Sequence, residues 1–302
     1  RLSRRASFEY SRSGELREKR GTIYDANMRA LVVSTSVSAI GAHPGQIENP
    51  ASAADILSKG LNLDRQVLME KLTSDRPFVW ITRDAPPSKA EAVASELTDG
   101  LALTRSFCRV YPNKTLAAQL LGFSGIDGNG LEGIEYYYDQ YLKGEVRRWL
   151  IVKDALGRIF HRAEPSGADY SGKDLVLTVD ANIQYMAENA LQRSVLEFNA
   201  ASGMAIVMVP RTGAIRAIAH YPTFNPNAFG QFPQALWRNR AITDFFEPGS
   251  TMKVFLAAAA LESGQFTEKS VINCENGRFR IGGHVVNDTH PYEDLTLHEV
   301  VK

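Results

Sequence analysis

The sequence has no long hydrophobic run. Apolar residues make up 44% of the 302 residues, but no run approaches the roughly 18 apolar residues that a membrane-spanning helix needs. The chain also begins at Arg1, without a Met and without the charged and then apolar pattern of a secretory leader. We therefore expect a piece of a longer protein that contains no membrane-spanning segment itself.

Cysteine is scarce, and neither sign of charge is in excess. Cys108 and Cys274 are far apart and lack the spacing of a metal site or a disulfide framework. Lys plus Arg and Asp plus Glu number 34 each, which indicates neither nucleic-acid binding nor an acidic tail. The basic first twenty residues are interrupted by Glu9, Glu15 and Glu18 and predict a solvated linker rather than a membrane-surface segment.

The N-terminal half alternates helical and extended patterns. Apolar residues recur at helical spacing in 51–72 and 88–97, and the glycines of 122–133 indicate tight turns. Three segments predict strands: 78–81, 150–159 and 174–179. Between the last two, a group of turn-forming residues marks the best candidate for a domain boundary: Pro165, Ser166, Gly167, Ser171 and Gly172. We expect domains over 1–170 and 171–302.

After this boundary the pattern changes to helix, hairpin, loop and helix. Residues 182–198 predict an amphipathic helix. Its expected apolar face consists of Ile183, Met186, Ala190, Leu191 and Phe198. Residues 203–209 and 214–220 predict two strands joined by the turn 210–213. This order indicates an α+β domain in which helices pack on a mostly antiparallel sheet.

Ser250 and Lys253 form the one Ser-x-x-Lys of the sequence. Pro248 and Gly249 precede it, the following residues are apolar and rich in alanine, and Gly264 stands where a helix would end. Because residues three apart share one helix face, this spacing brings the lysine amine within reach of the serine hydroxyl.

The pair suits nucleophilic catalysis. A serine hydroxyl is a weak nucleophile that needs a neighbouring base, and a lysine amine serves as one when apolar surroundings keep it neutral. Met252, Val254 and Phe255 are expected to supply those surroundings, and the helix N-terminus supplies N–H groups for an oxyanion. The alternative is a helix-capping serine beside a solvated lysine. The tetrapeptide alone does not decide, because a chain of this size carries one roughly once by chance.

Several ordered motifs resemble class B penicillin-binding proteins. Segment 247–253, Glu-Pro-Gly-Ser-Thr-Met-Lys, is similar to the active-site segment of that family. The family's pattern is also matched by 205–219, 221–227 and 238–241, and its pedestal motifs by 20–27, 109–112 and 130–135. The pedestal matches assign structural roles to Arg20, Gly21, Asp25, Arg109 and Glu135. Ala26 and Met28 depart from the arginine and glycine usual there. Segment 111–125 is most similar to the cell-division, penicillin-binding protein 3-like branch, and the elongation and sporulation branches are the alternatives left open.

The resemblance implies a bacterial enzyme held in the inner membrane by one helix before Arg1, with this part in the periplasm. The domain 1–170 would be a non-catalytic pedestal of the dimerisation type, and 171–302 a transpeptidase domain. Ser250 would attack the D-alanyl-D-alanine end of a peptidoglycan stem peptide, with Lys253 accepting its proton. The implied partners are stem peptides, β-lactam antibiotics and membrane proteins of the division machinery. Nucleic acid, metal and organic cofactors are not expected.

Two further family motifs, Ser-x-Asn and Lys-Thr-Gly, do not follow the Ser-x-x-Lys. Arg211-Thr212-Gly213 is similar to the second but fits a hairpin turn. Thr296 and Glu299 have the spacing of a capping box, which predicts a helix just before Lys302. We therefore expect a chain truncated inside the transpeptidase domain, with substrate-binding residues beyond Lys302. A polypeptide of these residues alone should react poorly with labelled penicillin.

Two other functions are left open by the sequence. One is a non-catalytic scaffold for division proteins, and the other is a β-lactam sensor or a β-lactamase. Loss of activity in Ser250→Ala would argue against the scaffold, and rapid turnover of a chromogenic β-lactam would favour the β-lactamase. His284, Asp288 and His290 lack a recognisable metal-ligand spacing, so we expect no metal.

Overall fold

The computed structural model describes residues 11–97, 100–153, 159–162 and 170–302. The strands are β1 (Ser11–Arg17), β2 (Ile23–Tyr24), β3 (Ala30–Ala42), β4 (Val79–Ala85), β5 (Leu101–Val110), β6 (Val146–Lys153), β7 (Ile159–Arg162), β8 (Leu175–Val176), β9 (Gly203–Met208), β10 (Ile215–Tyr221), β11 (Val271–Asn273), β12 (Arg278–Ile281), β13 (His284–Asn287) and β14 (Asp294–Thr296).

The α-helices are α1 (Pro50–Leu61), α2 (Arg65–Leu72), α3 (Pro87–Glu96), α4 (Ala118–Leu121), α5 (Gly133–Tyr137), α6 (Asp139–Leu142), α7 (Ala181–Glu197), α8 (Arg240–Thr243), α9 (Met252–Glu262) and α10 (Leu297–Val301). Short 3₁₀ turns cover Pro44–Gln46, Pro226–Gln231, Gln234–Leu236, Gly249–Thr251 and Glu275–Gly277. The chain forms two compact units, Arg1–Thr243 and Asp244–Lys302.

The central sheet of the first unit is built around the long strand β3. Strands β4 and β5 both pair with β3 antiparallel, and β2 connects β3 to β8 in the order β4-β3-β2-β8. The pairing of β3 with β5 runs from Val33 opposite Val110 to Ala42 opposite Leu101. The short strand β2 pairs antiparallel with β3 and parallel with β8, so residues 23–24 and 175–176 share one sheet.

One hydrophobic core lies between β3, β4 and helices α1, α2 and α3. Its aliphatic side chains include Ile40, Leu57, Leu68, Leu72 and Val93, each no more than 2% exposed. Full burial of one such side chain stabilises a fold by about 1.5–3 kcal/mol. This core therefore fixes the helices to the sheet.

The helices of this core begin and end where the sequence indicates, with one interruption. Asn49 caps α1, its side chain accepting a hydrogen bond from Ser52 N at 3.1 Å, and Asp64 caps α2 in the same way. Between them Asn62 adopts the left-handed conformation. The helical pattern predicted over 51–72 is therefore two helices, while α3 matches the prediction for 88–97 closely.

The predicted strand at 150–159 is wrong as a single strand. Strands β6 and β7 pair antiparallel with each other, with Ile151 opposite Arg162, so the chain reverses between them. Asp154 and Gly157 are turn-forming residues within this stretch, but residues 154–158 lie outside the described part of the chain. The strand predicted at 78–81 is present as β4, and the one at 174–179 is shortened to β8.

A second core of the first unit is aromatic. Phe123 stacks on Phe229 with ring centroids 4.1 Å apart and meets Trp237 edge to face at 5.0 Å. Phe224 also meets the Phe123 ring edge to face, with ring centroids 5.9 Å apart. This aromatic cluster connects the segment after β5 to the loop after β10.

Helix α7 and the β9–β10 hairpin confirm the order predicted from the sequence. The strands pair antiparallel from Met208 opposite Ile215 to Gly203 opposite Tyr221, and Asp180 caps α7 by accepting from Asn182 N and Ile183 N. The predicted apolar face of α7 is wrong in part, because Met186, Ala190 and Phe198 are exposed. The helix instead buries Gln184 and Val195.

The second unit contains α9, two antiparallel strand pairs and α10. Strand β11 pairs with β14 and β12 with β13. The predicted capping box is present: Glu299 N donates to Thr296 Oγ1, and Thr296 N donates to Glu299 Oε2. The mixture of helices and antiparallel sheets confirms the α+β class. The boundary between 170 and 171 stays a prediction, since Pro165, Ser166 and Gly167 lie outside the described residues.

Candidate active site

Ser250 lies in the turn that leads into α9. Gly249 begins this 3₁₀ turn with φ +53°, a conformation that glycine adopts without strain, and Thr251 and Met252 continue it with helical dihedral angles. Lys253 is the second residue of α9. Ser250 therefore stands at the helix N-terminus as predicted, with Lys253 three residues further on.

The side chains of Ser250 and Lys253 are both exposed. Among the described residues no hydrogen bond joins the Ser250 hydroxyl to the Lys253 amine. The apolar enclosure expected around the lysine is absent from the described residues 244–302, because the side chains that would supply it are themselves exposed: Met252 by 51%, Val254 by 60% and Phe255 by 68%. The structure thus places Ser250 in the turn before α9 and Lys253 in its first turn, without a hydrogen bond between them.

Three residues of the pedestal motifs form a buried ion network. Glu135 Oε2 lies 2.6 Å from Arg20 Nη2, and Glu135 Oε1 lies 2.6 Å from Arg109 Nε. Arg20 also bonds to Asp139 Oδ1 at 2.6 Å, and Arg109 Nη1 donates to Gly21 O at 2.7 Å. Residues far apart in sequence are thereby held at one point beside β2 and β5.

Tyr111 adds its hydroxyl to this network. Its ring is buried, and its oxygen accepts from Ser124 N at 3.1 Å and lies 3.5 Å from Glu135 Oε1. Burial first, and then the charge of Glu135, raise the pKa of Tyr111, so the hydroxyl stays protonated. The Arg-x-Tyr-Pro motif thus contributes both of its polar side chains to one carboxylate.

Asp25 connects the end of β2 to the start of α7, and Gly21 packs against the backbone before β8. Asp25 Oδ1 accepts from Asn27 N and Arg29 N, and Oδ2 accepts from Ala181 N, the first residue of α7. Burial acts to raise the pKa of Asp25, but these backbone N–H donors outweigh it and lower that pKa. Gly21 is packed so closely that a Cβ there would lie 1.9 Å from Lys173 O.

Sequence reasoning missed two polar side chains, the buried Gln184 and the exposed Asn227, that pair with the backbone of another element. Gln184 Nε2 donates to Ile218 O, and Gln184 Oε1 accepts from Ile218 N, both at 2.8 Å. Asn227 makes the same two-way pairing with the backbone of Tyr111. One signal in the sequence could have indicated Gln184. Gln184 and Glu188 are polar residues four positions apart, so they share one face of a helix that was expected to bury apolar residues.

Arg211, Thr212 and Gly213 form the β9–β10 turn, in which Gly213 N donates to Val209 O at 2.9 Å, as the sequence predicted. Within the described ranges no group of three or more His, Cys, Asp or Glu side chains could hold a metal ion. In that part of the chain no helix is both long and apolar enough to cross a membrane.

Two family profiles match successive parts of the chain. Residues 16–177 match the penicillin-binding protein dimerisation domain, and residues 203–302 match the penicillin-binding protein transpeptidase domain. The chain therefore belongs to the penicillin-binding proteins in which a dimerisation domain precedes a transpeptidase domain, which confirms the resemblance to class B.

Individual relatives agree with this assignment. The chain is 33% identical over 280 residues to a probable peptidoglycan D,D-transpeptidase PbpC of Pseudomonas aeruginosa, covering 92% of this chain and 50% of that protein. It is 32% identical over 290 residues to the peptidoglycan D,D-transpeptidase FtsI of Escherichia coli, covering 94% and 49%. The chain thus spans about half the length of these relatives.

A solved structure shows the same fold. Penicillin-binding protein 2X of Streptococcus thermophilus superposes with a TM-score of 0.68 at 24% identity, covering 92% of this chain and 45% of that one.

Proposed function

We propose that this chain is the pedestal and the Ser-x-x-Lys part of a peptidoglycan D,D-transpeptidase of septal cell-wall synthesis. The observation that carries the proposal is the position of Ser250 at the entry to α9, with Lys253 one turn further on, inside the residues that match the transpeptidase domain. The names of the Pseudomonas and Escherichia relatives support the same reaction.

In the proposed reaction Ser250 is the nucleophile and Lys253 the base. The Ser250 oxygen bonds to the carbonyl carbon of the penultimate D-alanine of a stem peptide, and the Lys253 amine accepts the hydroxyl proton. The peptide C–N bond then breaks, the proton passes to the leaving amine, and free D-alanine departs from an acyl ester. An amine of a neighbouring stem peptide attacks the ester, which forms the cross-link and restores the hydroxyl.

The helix position supports both steps. The positive end of the α9 dipole favours an oxyanion beside Ser250. Proton transfer needs the amine and the hydroxyl about 2.6–3.2 Å apart. The flexible stem of lysine can supply this approach from the same helix face.

Acylation by a fluorescent penicillin tests the proposal. The native protein should become covalently labelled, and peptide mapping should locate the adduct on Ser250. Ser250→Ala should abolish labelling, while Ser263→Ala, at the other end of α9, should leave it unchanged. Labelling that persists in Ser250→Ala would overturn the assignment of the nucleophile.

Two further outcomes decide between the alternatives. Retention of biological activity in Ser250→Ala would favour a division scaffold, and rapid hydrolysis of a chromogenic β-lactam would favour a β-lactamase or a sensor. A comparison of the 302-residue polypeptide with the native protein tests the separate expectation that residues 1–302 alone label slowly. The same proposal has three further parts. The protein is anchored in the cytoplasmic membrane, the residues described above lie outside that membrane, and the protein contacts membrane proteins of cell division.

A further inference from the structure

A small polar cavity lies within the first unit, between α7, the segment after Tyr111 and the end of β10. Its volume is about 160 Å³. One water-sized sphere needs roughly 10–15 Å³ of such volume, so the cavity has room for about ten non-hydrogen atoms. Ser250 is not one of the residues that line the cavity, and the inference does not depend on the proposed reaction.

Glu188 gives the cavity its charge. Glu188 Oε1 accepts two hydrogen bonds of 2.7 Å, from Ala117 N and from Gln184 Nε2. Within the described part of the chain Oε2 accepts none, and it is not among the enclosed polar atoms. Since Glu188 lines the cavity, this second carboxylate oxygen is its free acceptor.

No positive protein group balances this carboxylate. Among the described residues no lysine or arginine lines the cavity, and Glu188 forms no ion pair. His220, which also lines it, adds no charge at pH 7 because burial lowers its pKa. Burial raises the pKa of Glu188, although its two hydrogen bonds act in the opposite direction. The carboxylate is therefore desolvated without a counter-ion.

Two of the neighbouring polar residues, Asn189 and Thr223, present further acceptors. Asn189 Nδ2 donates a hydrogen bond to Tyr185 O at 2.9 Å. The other amide atom, Asn189 Oδ1, accepts no hydrogen bond from the described residues. The hydroxyl of Thr223 donates to Gln119 Oε1 at 3.2 Å, which leaves its oxygen lone pairs available. Both residues line the cavity. Glu188, Asn189 and Thr223 together offer three acceptors.

We propose that this cavity binds the primary ammonium group of a small amine, with Glu188 as its counter-ion. An ammonium group carries one positive charge and three N–H donors, which match one carboxylate and two neutral oxygens. Calcium takes six to eight oxygen ligands, more than the three acceptors that these side chains offer, so it suits the cavity poorly. Leu116 and the ring of Tyr185, which also line the cavity, provide apolar contacts for a short alkyl stem.

Amide NMR titration at pH 7 and constant ionic strength tests the proposal with n-propylammonium chloride. The resonances of Ala117 and Asn189 should shift and saturate at millimolar concentration. Propan-1-ol and potassium chloride, which lack the donors or the stem, should produce no saturable shift. Chemical-shift changes of equal size with propan-1-ol or with potassium chloride would overturn the proposal. So would a titration that does not saturate up to 100 mM amine. Nα-acetyl-lysine N-methylamide, run in parallel, shows whether the ammonium of a lysine side chain binds as well as that of a free amine.

Two variants and a control locate the binding. Glu188→Gln keeps the Oε1 acceptor for Ala117 and Gln184 but removes the charge, and should weaken amine binding at least tenfold. Glu197→Gln, exposed on the same helix, should leave it unchanged. If thermal unfolding shows that Glu188→Gln does not fold, Asn189→Ala becomes the deciding variant. It should weaken the binding of the amine at least threefold. Unchanged affinity in the deciding variant contradicts the proposal.

Discussion

Arg109 Nε lies 2.6 Å from Glu135 Oε1, and the two side chains are 4% and 0% exposed. Glu135 also neutralises the buried guanidinium of Arg20, so one carboxylate serves two cations. Taking ions out of water costs several kcal/mol each unless partners and hydrogen bonds compensate. Removing the shared partner is therefore more damaging than removing either cation.

Glu135→Ala should lower the free energy of unfolding by about 3–5 kcal/mol, because the buried guanidinium of Arg109 loses its carboxylate and that of Arg20 keeps only Asp139. Urea unfolding followed by circular dichroism measures this. The control Glu70→Gln alters an exposed carboxylate on α2 and should change stability by less than about 0.5 kcal/mol. Equal effects of the two variants would show that the network contributes no net stability.

Asp25→Asn should remove about 1–3 kcal/mol at pH 7, because an amide N–H₂ would face the Ala181 N–H in place of a carboxylate oxygen. The lowered pKa of Asp25 stabilises the fold above the unfolded value of 3.8, and this stabilisation is lost as pH falls through the folded pKa. The variant should lack that part of the acid dependence. The control Asp75→Asn changes an exposed residue in a loop and should retain the acid dependence of the native protein. If Asp25→Asn lost stability with falling pH as the native protein does, Asp25 would not be the source of that dependence.

Gly21→Ala should destabilise the first unit by more than the roughly 1–3 kcal/mol typical of overpacking. The new Cβ would meet the backbone of Lys173 at 1.9 Å, and backbone cannot rotate away as a side chain can. The matched change Gly45→Ala meets no atom within 4 Å and should be neutral or slightly stabilising. Thermal unfolding midpoints provide the comparison, and similar midpoints would rule out the close approach.

Gln184→Leu should cost about 2–4 kcal/mol, because the N–H and the C=O of Ile218 would both lose their partner inside the protein. Hydrogen exchange at the Ile218 amide should accelerate in parallel. Gln66→Leu, at an exposed position of α2, makes the same chemical change without an orphaned backbone group and should be nearly neutral. Slow exchange at Ile218 in Gln184→Leu would show that another group takes over the hydrogen bond.

Features that depend on neighbouring residues could be predicted from the sequence. The capping box of Thr296 and Glu299, the β9–β10 hairpin and the helix entry at Ser250 all rest on signals within ten residues. The break at Asn62 was missed because the apolar spacing continues on both sides of it. The left-handed Asn62 ends α1, and the extended Asp64 caps the start of α2.

Features that depend on distant pairing could not be predicted in this way. The resemblance singled out Arg20, Arg109 and Glu135, but their meeting at one point depends on how β2, β5 and α5 are arranged. Gln184 was hidden because its amide pairs with a backbone from another element, for which the sequence has no pattern. The expected enclosure of Lys253 failed for a related reason: apolar neighbours along a helix do not surround a residue unless another element covers them.

The parallel pairing of β2 with β8 bears on the order of events during synthesis. Thr22 N donates to Asp174 Oδ1 across a sequence separation of 152 residues, and Ile23 lies opposite Leu175. At translation rates of 5–20 residues per second, roughly 8–30 s pass before the second strand emerges from the ribosome. During that interval the edge of β2 that awaits β8 has no partner strand, and the nascent chain is open there to mispairing.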